Sequence, residues 1–286
     1  ETFKNVYLGS HGAVFDADKN LIFDPREQSH EKPSIEFNTS REIIQLPEGK
    51  YINLLQTHNF PVWGHFSELL SALYYFEQNN INECTLIMNK PQFGHSTTSL
   101  SYHMAVFGYP VHRLKFINVK KSYFQVPELY CIHKIDNVST KETCNYMRDA
   151  WYKNCSYDPE VTVSKLYLSR PKHRIGSRDA INESEVIDYL LPQGFTVFTG
   201  EEGFSRHIEM FQNADIIIGP HGAAFFNTIL CNKDPLILEF CPEQRRVNMF
   251  ELQSKLMGRL NHHLITVPCN TQLQFNIDIN IVNSYI

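Results

Sequence analysis

DIIIGPHGAAFFNTIL, residues 215–230, holds a strand, a turn and a helix in one uninterrupted run. The isoleucines read as a buried strand that ends at Gly219 and Pro220. The chain then turns through His221 and Gly222 and continues into a helix of small and apolar residues. The same rhythm repeats on both sides of it. KLYLSR, FTVFTG, PLILEF and HLITVP are further short apolar strands, alternating with helical stretches over 183–191, 204–213, 222–231 and 248–257. Continuously apolar strands separated by helices of about ten residues imply a parallel sheet covered on both faces, and the expected product is a doubly wound, Rossmann-like α/β fold. In such sheets ligands lie beyond the carboxyl ends of the strands, so the residues after KLYLSR, DIIIGP and PLILEF are expected to converge.

Working back toward the N-terminus, YINLLQT, ECTLIMNK and HRLKFIN read as strands and 65–78 and 95–108 as helices, while 1–50 reads as irregular strands and turns. A helix from Ser139 to about Trp151 and the polar stretch YKNCSYDPEVT close this half. The expectation is two Rossmann-like lobes, 1–157 and 158–286, with the last residues free to return to the first lobe.

The 286 residues carry 26 Lys and Arg against 31 Asp and Glu, a formal charge of −5, so no global positive field gathers a nucleic acid backbone and no nucleic acid partner is expected. With 42% hydrophobic and 20% charged residues the whole chain should fold. Its apolar runs fall far short of the roughly 20 residues of a membrane-spanning helix, so no transmembrane segment is expected in this chain. Seven scattered cysteines without a CxxC pair read as reduced and structural, which favours a cytoplasmic location. Glu1 opens the chain without a signal peptide's charged start and apolar stretch, and a signal or anchor removed ahead of it stays open.

The helix after Gly222 begins where a ligand is expected. Its free amides and positive dipole end favour an anion such as a diphosphate, Gly222 and Ala223 allow close approach, and His221 is placed to donate to a phosphate or sugar oxygen. A tight turn alone would also ask for Gly219 and Gly222. LSRPKHRIGSRDAINESE, residues 168–185, crowds Arg170, Lys172, His173, Arg174 and Arg178 after a strand. Guanidiniums suit phosphate recognition; Arg170 and Arg174 are expected to point inward and Lys172 and Arg178 to sit in a solvated loop. Asn182, with Glu185 three residues later, has the form of a capping box as well as a place in the ligand region. Glu239 closes an otherwise apolar strand, either to accept ribose hydroxyls or as a plain strand-ending charge. In THNFPVWGHFSELLSALYYF, His65 and Glu68 stand at a helix start, where His65 is either a general base or a cap. His95 and His103 fit no compact metal spacing, and His262 and His263 face opposite sides of an extended segment, so no metal site is expected.

These segments, in this order, resemble glycosyltransferase family 61. The likeness runs from 168 to 239 and extends to NFPVWGHFSELLSALYYF and GAVFDADKNLIF. Two departures stand out: His207 replaces a common Gln, and Ala224, Phe225 and Phe226 replace a frequent Gly-Leu-Thr, a bulky pair expected to narrow the pocket. The resemblance implies GT-B architecture, with a cleft between two lobes and the nucleotide sugar held by the C-terminal one. It further implies inversion without a bound metal and without a cofactor, a UDP-sugar donor and a glycan hydroxyl as acceptor. The short chain points to a compact microbial or viral relative. Xylose is the first expectation for the sugar and N-acetylglucosamine the second. In this reading Arg170, Arg174, Asn182, His221, Gly222, Ala223 and Glu239 hold the donor, and His65 is the base, with Glu68 and Asp16 as alternatives. A sugar-nucleotide epimerase and a non-catalytic sugar-nucleotide or glycan-binding module are the competing expectations.

Overall fold

The computed structural model describes residues 1–24, 35–55, 66–81, 83–89, 103–119, 121–132, 140–170 and 178–286. The chain divides into two compact units, Glu1–Val138 and Ser139–Ile286.

The first unit is built on a mixed sheet of eight strands. These are β1 (Thr2–Leu8), β2 (Val14–Phe15), β3 (Leu21–Phe23), β4 (Glu42–Gln45), β5 (Lys50–Asn53), β6 (Thr85–Asn89), β7 (Leu114–Ile117) and β8 (Ser122–Tyr130). The order is β3-β2-β1-β8-β5-β6-β7, with β4 also beside β8. β8 is the organiser. It runs antiparallel to β1, and its residues Ser122–Gln125 and Glu128–Tyr130 pair in turn with the parallel strands β4 and β5. Val6, Leu8, Val14, Ile87, Val126 and Leu129 pack into its core. Between β2 and β3 the DADKN segment makes a tight turn, in which both carboxylate oxygens of Asp16 accept hydrogen bonds, from the Asn20 amide at 2.9 Å and from its side chain at 3.2 Å. Asp16 is thus spent on a turn, as Asp is in many hairpins. The helix expected over 65–78 is Phe66–Gln78, and the segment 103–106 is helical.

The second unit carries five parallel strands in the order β10-β9-β11-β12-β13. Their ranges are β9 (Lys165–Leu168), β10 (Thr196–Phe198), β11 (Ile216–Pro220), β12 (Leu236–Pro242) and β13 (His262–Val267). The order reverses between β9 and β11, so the chain winds outward from β9 in both directions, which defines a topological switch point there. Tyr167, Ile218, Leu238, Phe240 and Val267 pack on one face with Val186 and Leu190 of the helix Glu183–Leu190 and with Phe275 and Val282 near the C-terminus. Side chains alternate across a strand, and their neighbours Leu166, Leu168, Ile217, Ile237 and Glu239 are buried on the opposite face.

The helix Lys141–Asn154, assigned to the first lobe by the sequence reading, belongs to the second unit. Its Trp151 ring packs 5.1 Å from Phe204 and 6.3 Å from Phe226, and the Tyr152 hydroxyl donates to the Leu230 carbonyl. The units therefore part at Val138/Ser139, where the sequence reading put 157/158. The last residues also stay with the second unit, because Phe275, Ile277 and Val282 complete its core.

Two local features shape the ligand end of the sheet. Gly219 is dictated by contact: a Cβ there would lie 2.7 Å from the Leu168 carbonyl oxygen and 2.9 Å from its Cβ. Gly219→Val should cost about 1 to 3 kcal/mol by forcing β9 and β11 apart, read from the urea midpoint; an unchanged midpoint would refute this account. The second feature is that Ala223–Leu230 is a 3-10 helix, where the sequence suggested an ordinary helix. Side chains compete for its carbonyls. Asn227 donates to Ala224, Gln253 to Phe226, and the buried Arg259 to Thr228 and Cys231.

Candidate functional site at the switch point

Arg170 follows β9 by two residues and reaches across the switch point to β11. Its guanidinium donates to the His221 carbonyl at 2.7 Å, its backbone amide donates to Glu183 at 3.2 Å, and Asp179 lies 3.9 Å from its Nε. The guanidinium passes so close to Gly222 that a Cβ there would sit 2.6 Å from it. Arginine and glycine are thus one feature: the first occupies the space that the second leaves open. The backbone amide of His221 donates to the Phe240 carbonyl at 2.7 Å and is not available to a ligand, so of the three turn residues expected to hold the donor only Gly222 and Ala223 can offer an amide. The amides of Gly222 and Ala223, at the start of the 3-10 helix, make no hydrogen bond among the described residues.

Arg178 joins Arg170 rather than the solvated loop expected for it. Burial in the first place, then the charges of Arg170 and Arg245, pull its guanidinium down to about 10 from its ordinary value. Arg170 and Arg178, which follow β9, and Arg245, which follows β12, thus act on one another electrostatically, with the charge of Glu239 opposing them. Arg174 lies outside the described residues, as do Lys172 and His173.

Glu239 is fully buried, and both its oxygens are engaged. One bonds Nδ1 of His221, and the other lies 2.9 Å from Nε2 of His262, whose Nδ1 is 2.8 Å from the Ser254 hydroxyl. Burial alone would push the carboxyl up; the hydrogen bonds from the two imidazoles outweigh it and hold it below its ordinary value. Glu239 therefore has no oxygen to spare for a ribose, and the expectation that it binds the sugar nucleotide directly is withdrawn. It orients His221 instead. The donor role expected of Asn182 fails for a similar reason. Its amide exchanges two hydrogen bonds of 2.9 Å with the Ile277 backbone, and it makes no side-chain cap on the helix behind it. Tail residues nearly a hundred positions away claim the side chain that the local pattern assigned to a cap.

Phe225 and Phe226 do not narrow a pocket. Both are buried in the core, Phe226 against Trp151 and Phe225 within 6.2 Å of the Phe250 ring. His207 sits in the helix Phe204–Phe211 with its ring 4.8 Å from Phe198, and burial holds its imidazole below the ordinary range. His65 lies outside the described residues, as does the side chain of Glu68. Asp16 makes a poor base: the hydrogen bonds from Asn20 hold its carboxyl low, and a base works best near the operating pH. Sequence reasoning missed Arg178, His262 and Ser254. Among the described residues no three His, Cys, Asp or Glu side chains group to hold a metal ion, and no helix is long and apolar enough to cross a membrane. Among the described residues no two cysteines are joined in a disulfide.

The second unit is a doubly wound α/β domain with Arg170 and Arg178 near its switch point. A sequence model of the family Glycosyltransferase 61 matches residues 63–238, more than half of the chain, and spans β9 to β11 with Arg170 and Arg178. The chain belongs to glycosyltransferase family 61. Among curated proteins nothing matches it. Among solved structures it is similar to the bacterial iron-containing dodecameric glycosyltransferase TibC from enterotoxigenic E. coli H10407, at 12% identity over 92% of this chain and 80% of that chain, with a TM-score of 0.37. It is also similar to the dodecameric iron-containing heptosyltransferase TibC in complex with ADP-D-beta-D-heptose, at 13% identity over 82% of this chain and 75% of that chain, with a TM-score of 0.32.

Proposed function

We propose that the chain is an inverting glycosyltransferase that moves a sugar from a UDP-sugar to a glycan hydroxyl, with the donor diphosphate seated at the switch point of the second unit. The observation that carries this reading is Arg170 at the switch point, bonded to the His221 carbonyl and close against Gly222, beside the Gly222 and Ala223 amides that make no hydrogen bond among the described residues. Transfer needs charge compensation on the departing diphosphate and a base for the acceptor hydroxyl. The guanidiniums and the Gly222 and Ala223 amides supply the first. An anion here also relieves the mutual repulsion that Arg178 feels.

The base is assigned to His65 or Glu68. UDP as carrier, inversion, a GT-B arrangement, independence from a divalent cation, and xylose ahead of N-acetylglucosamine rest on the family resemblance. With Phe225 and Phe226 in the core, no argument from pocket size favours the pentose. Incubation with labelled UDP-sugars, with and without glycan acceptors, separates transfer from epimerisation and from binding without turnover.

Charge-assisted hydrogen bonds contribute roughly 1.5 to 3 kcal/mol each. UDP affinity, measured by calorimetry, should therefore fall about tenfold to a hundredfold in Arg170→Ala. A folded variant that binds UDP as wild type does would overturn the placement.

A further inference from the structure

Ser254, His262, Glu239 and His221 form one buried chain of polar groups that starts in the helix Met249–Leu256, crosses β13 and β12, and ends in the turn after β11. None of them is more than 7% exposed. Their hydrogen-bonding capacities fix the direction of the chain. An ionised carboxylate only accepts, so His262 donates through Nε2 and His221 through Nδ1. An imidazole that carries its one proton on Nε2 keeps Nδ1 as an acceptor, and the Ser254 hydroxyl, 2.8 Å from Nδ1 of His262, is placed to be its donor. Every polar atom of the four side chains along this path is accounted for up to Nε2 of His221. That nitrogen belongs to the residue whose carbonyl holds Arg170 and whose successor is Gly222.

Burying a carboxylate between two imidazoles gains little stability over an apolar trio of the same shape. What the arrangement fixes is geometry. A His whose Nδ1–H is held by a carboxylate has one tautomer and one ring orientation. We propose that His262 is a positioning residue for sugar transfer: through Glu239 it locks His221 with Nε2 directed at the donor. The inference rests on the donor placement proposed above, and it adds a residue that touches neither donor nor acceptor. Glu239 Oε2 without a partner is free to rotate toward other donors, and His221 rotates with it. His262→Gln keeps an amide N–H near the Nε2 position and so keeps the partner of Oε2. His262→Ala removes it.

The test uses the full chain, with UDP as the binding probe, and UDP-xylose and UDP-N-acetylglucosamine as turnover probes. Nitrogen-15 imidazole spectra of the wild type should show His221 protonated at Nδ1, with Nε2 the nitrogen that shifts when UDP is added. In His262→Ala the His221 signal should lose its single tautomer and kcat should fall about tenfold to a hundredfold, with UDP affinity falling by less than kcat. His262→Gln should restore both the signal and most of the rate. An Nε2-protonated His221 in the wild type, or an unchanged His221 signal and kcat in His262→Ala, overturns the inference even if one variant fails to fold. A His221 of the expected tautomer whose nitrogen ignores UDP, in a protein that binds no UDP, overturns the donor placement instead.

Discussion

Glu239→Ala should lose about 2 to 6 kcal/mol of folding stability, because two buried imidazole N–H groups lose their acceptor and each such loss costs roughly 1 to 3 kcal/mol. Set against a total of about 5 to 15 kcal/mol for a folded domain, that is a large share, and urea denaturation resolves it. Glu243, exposed in the short turn after β12, is the control, and Glu243→Ala should stay within about 0.5 kcal/mol of wild type. The same carboxylate sets a pH dependence. Its folded value lies below the ordinary 4.5, so its contribution is complete above about pH 4.5 and is lost as the pH falls through the lower folded value. The acid limb of the stability curve should therefore flatten in Glu239→Gln, which cannot titrate. A Glu239→Ala protein with the urea midpoint of wild type would remove the network from the account of this fold.

Under the proposed reaction, His65→Ala should slow sugar transfer by about a hundredfold to ten-thousandfold, the usual cost of removing a general base. UDP affinity should hardly change, since the diphosphate is assigned to the switch point of the other unit. A His65 that only caps the helix Phe66–Gln78 predicts a different result, a loss of about 1 kcal/mol in stability at full rate. Transfer rate and melting temperature of the one variant distinguish the two. Asp16→Ala belongs in the same series. With both carboxylate oxygens held by Asn20 in the β2–β3 turn, it should retain the wild-type rate. A fully active His65→Ala would move the base assignment to Glu68.

The five strands of the second unit were legible because each is a short apolar run fenced by turn residues, and burial on both faces leaves no polar alternation to confuse the pattern. The switch-point arginine and the glycine turn were legible for the same reason, since they follow strand ends directly. What escaped depends on contacts distant in sequence. Asn182 has a cap's local pattern, yet the Ile277 backbone claims its amide. Glu239 has a ribose-binding residue's position, but His262, 23 residues on, takes one oxygen. Arg178 sits in a run of charges that local reasoning assigns to solvent, and only the fold brings it up to Arg170 and Arg245. The break between units was misplaced because a single helix, Lys141–Asn154, has its buried face specified by residues of the second sheet rather than by its own sequence.

The bracing of the segment 179–182 by the tail sets an order of events during synthesis. The Ile181 amide donates to the Phe275 carbonyl, the Phe275 amide donates to the Asp179 carbonyl, and Asn182 is bonded to Ile277 at a separation of 95 residues. At about 5 to 20 residues per second a ribosome needs roughly 5 to 20 s to make that stretch. For that interval the segment 179–182, already made, lacks the residues that brace it. The segment next to Arg178 is therefore braced only after residues 275–277 have been made, long after the strand that leads into it.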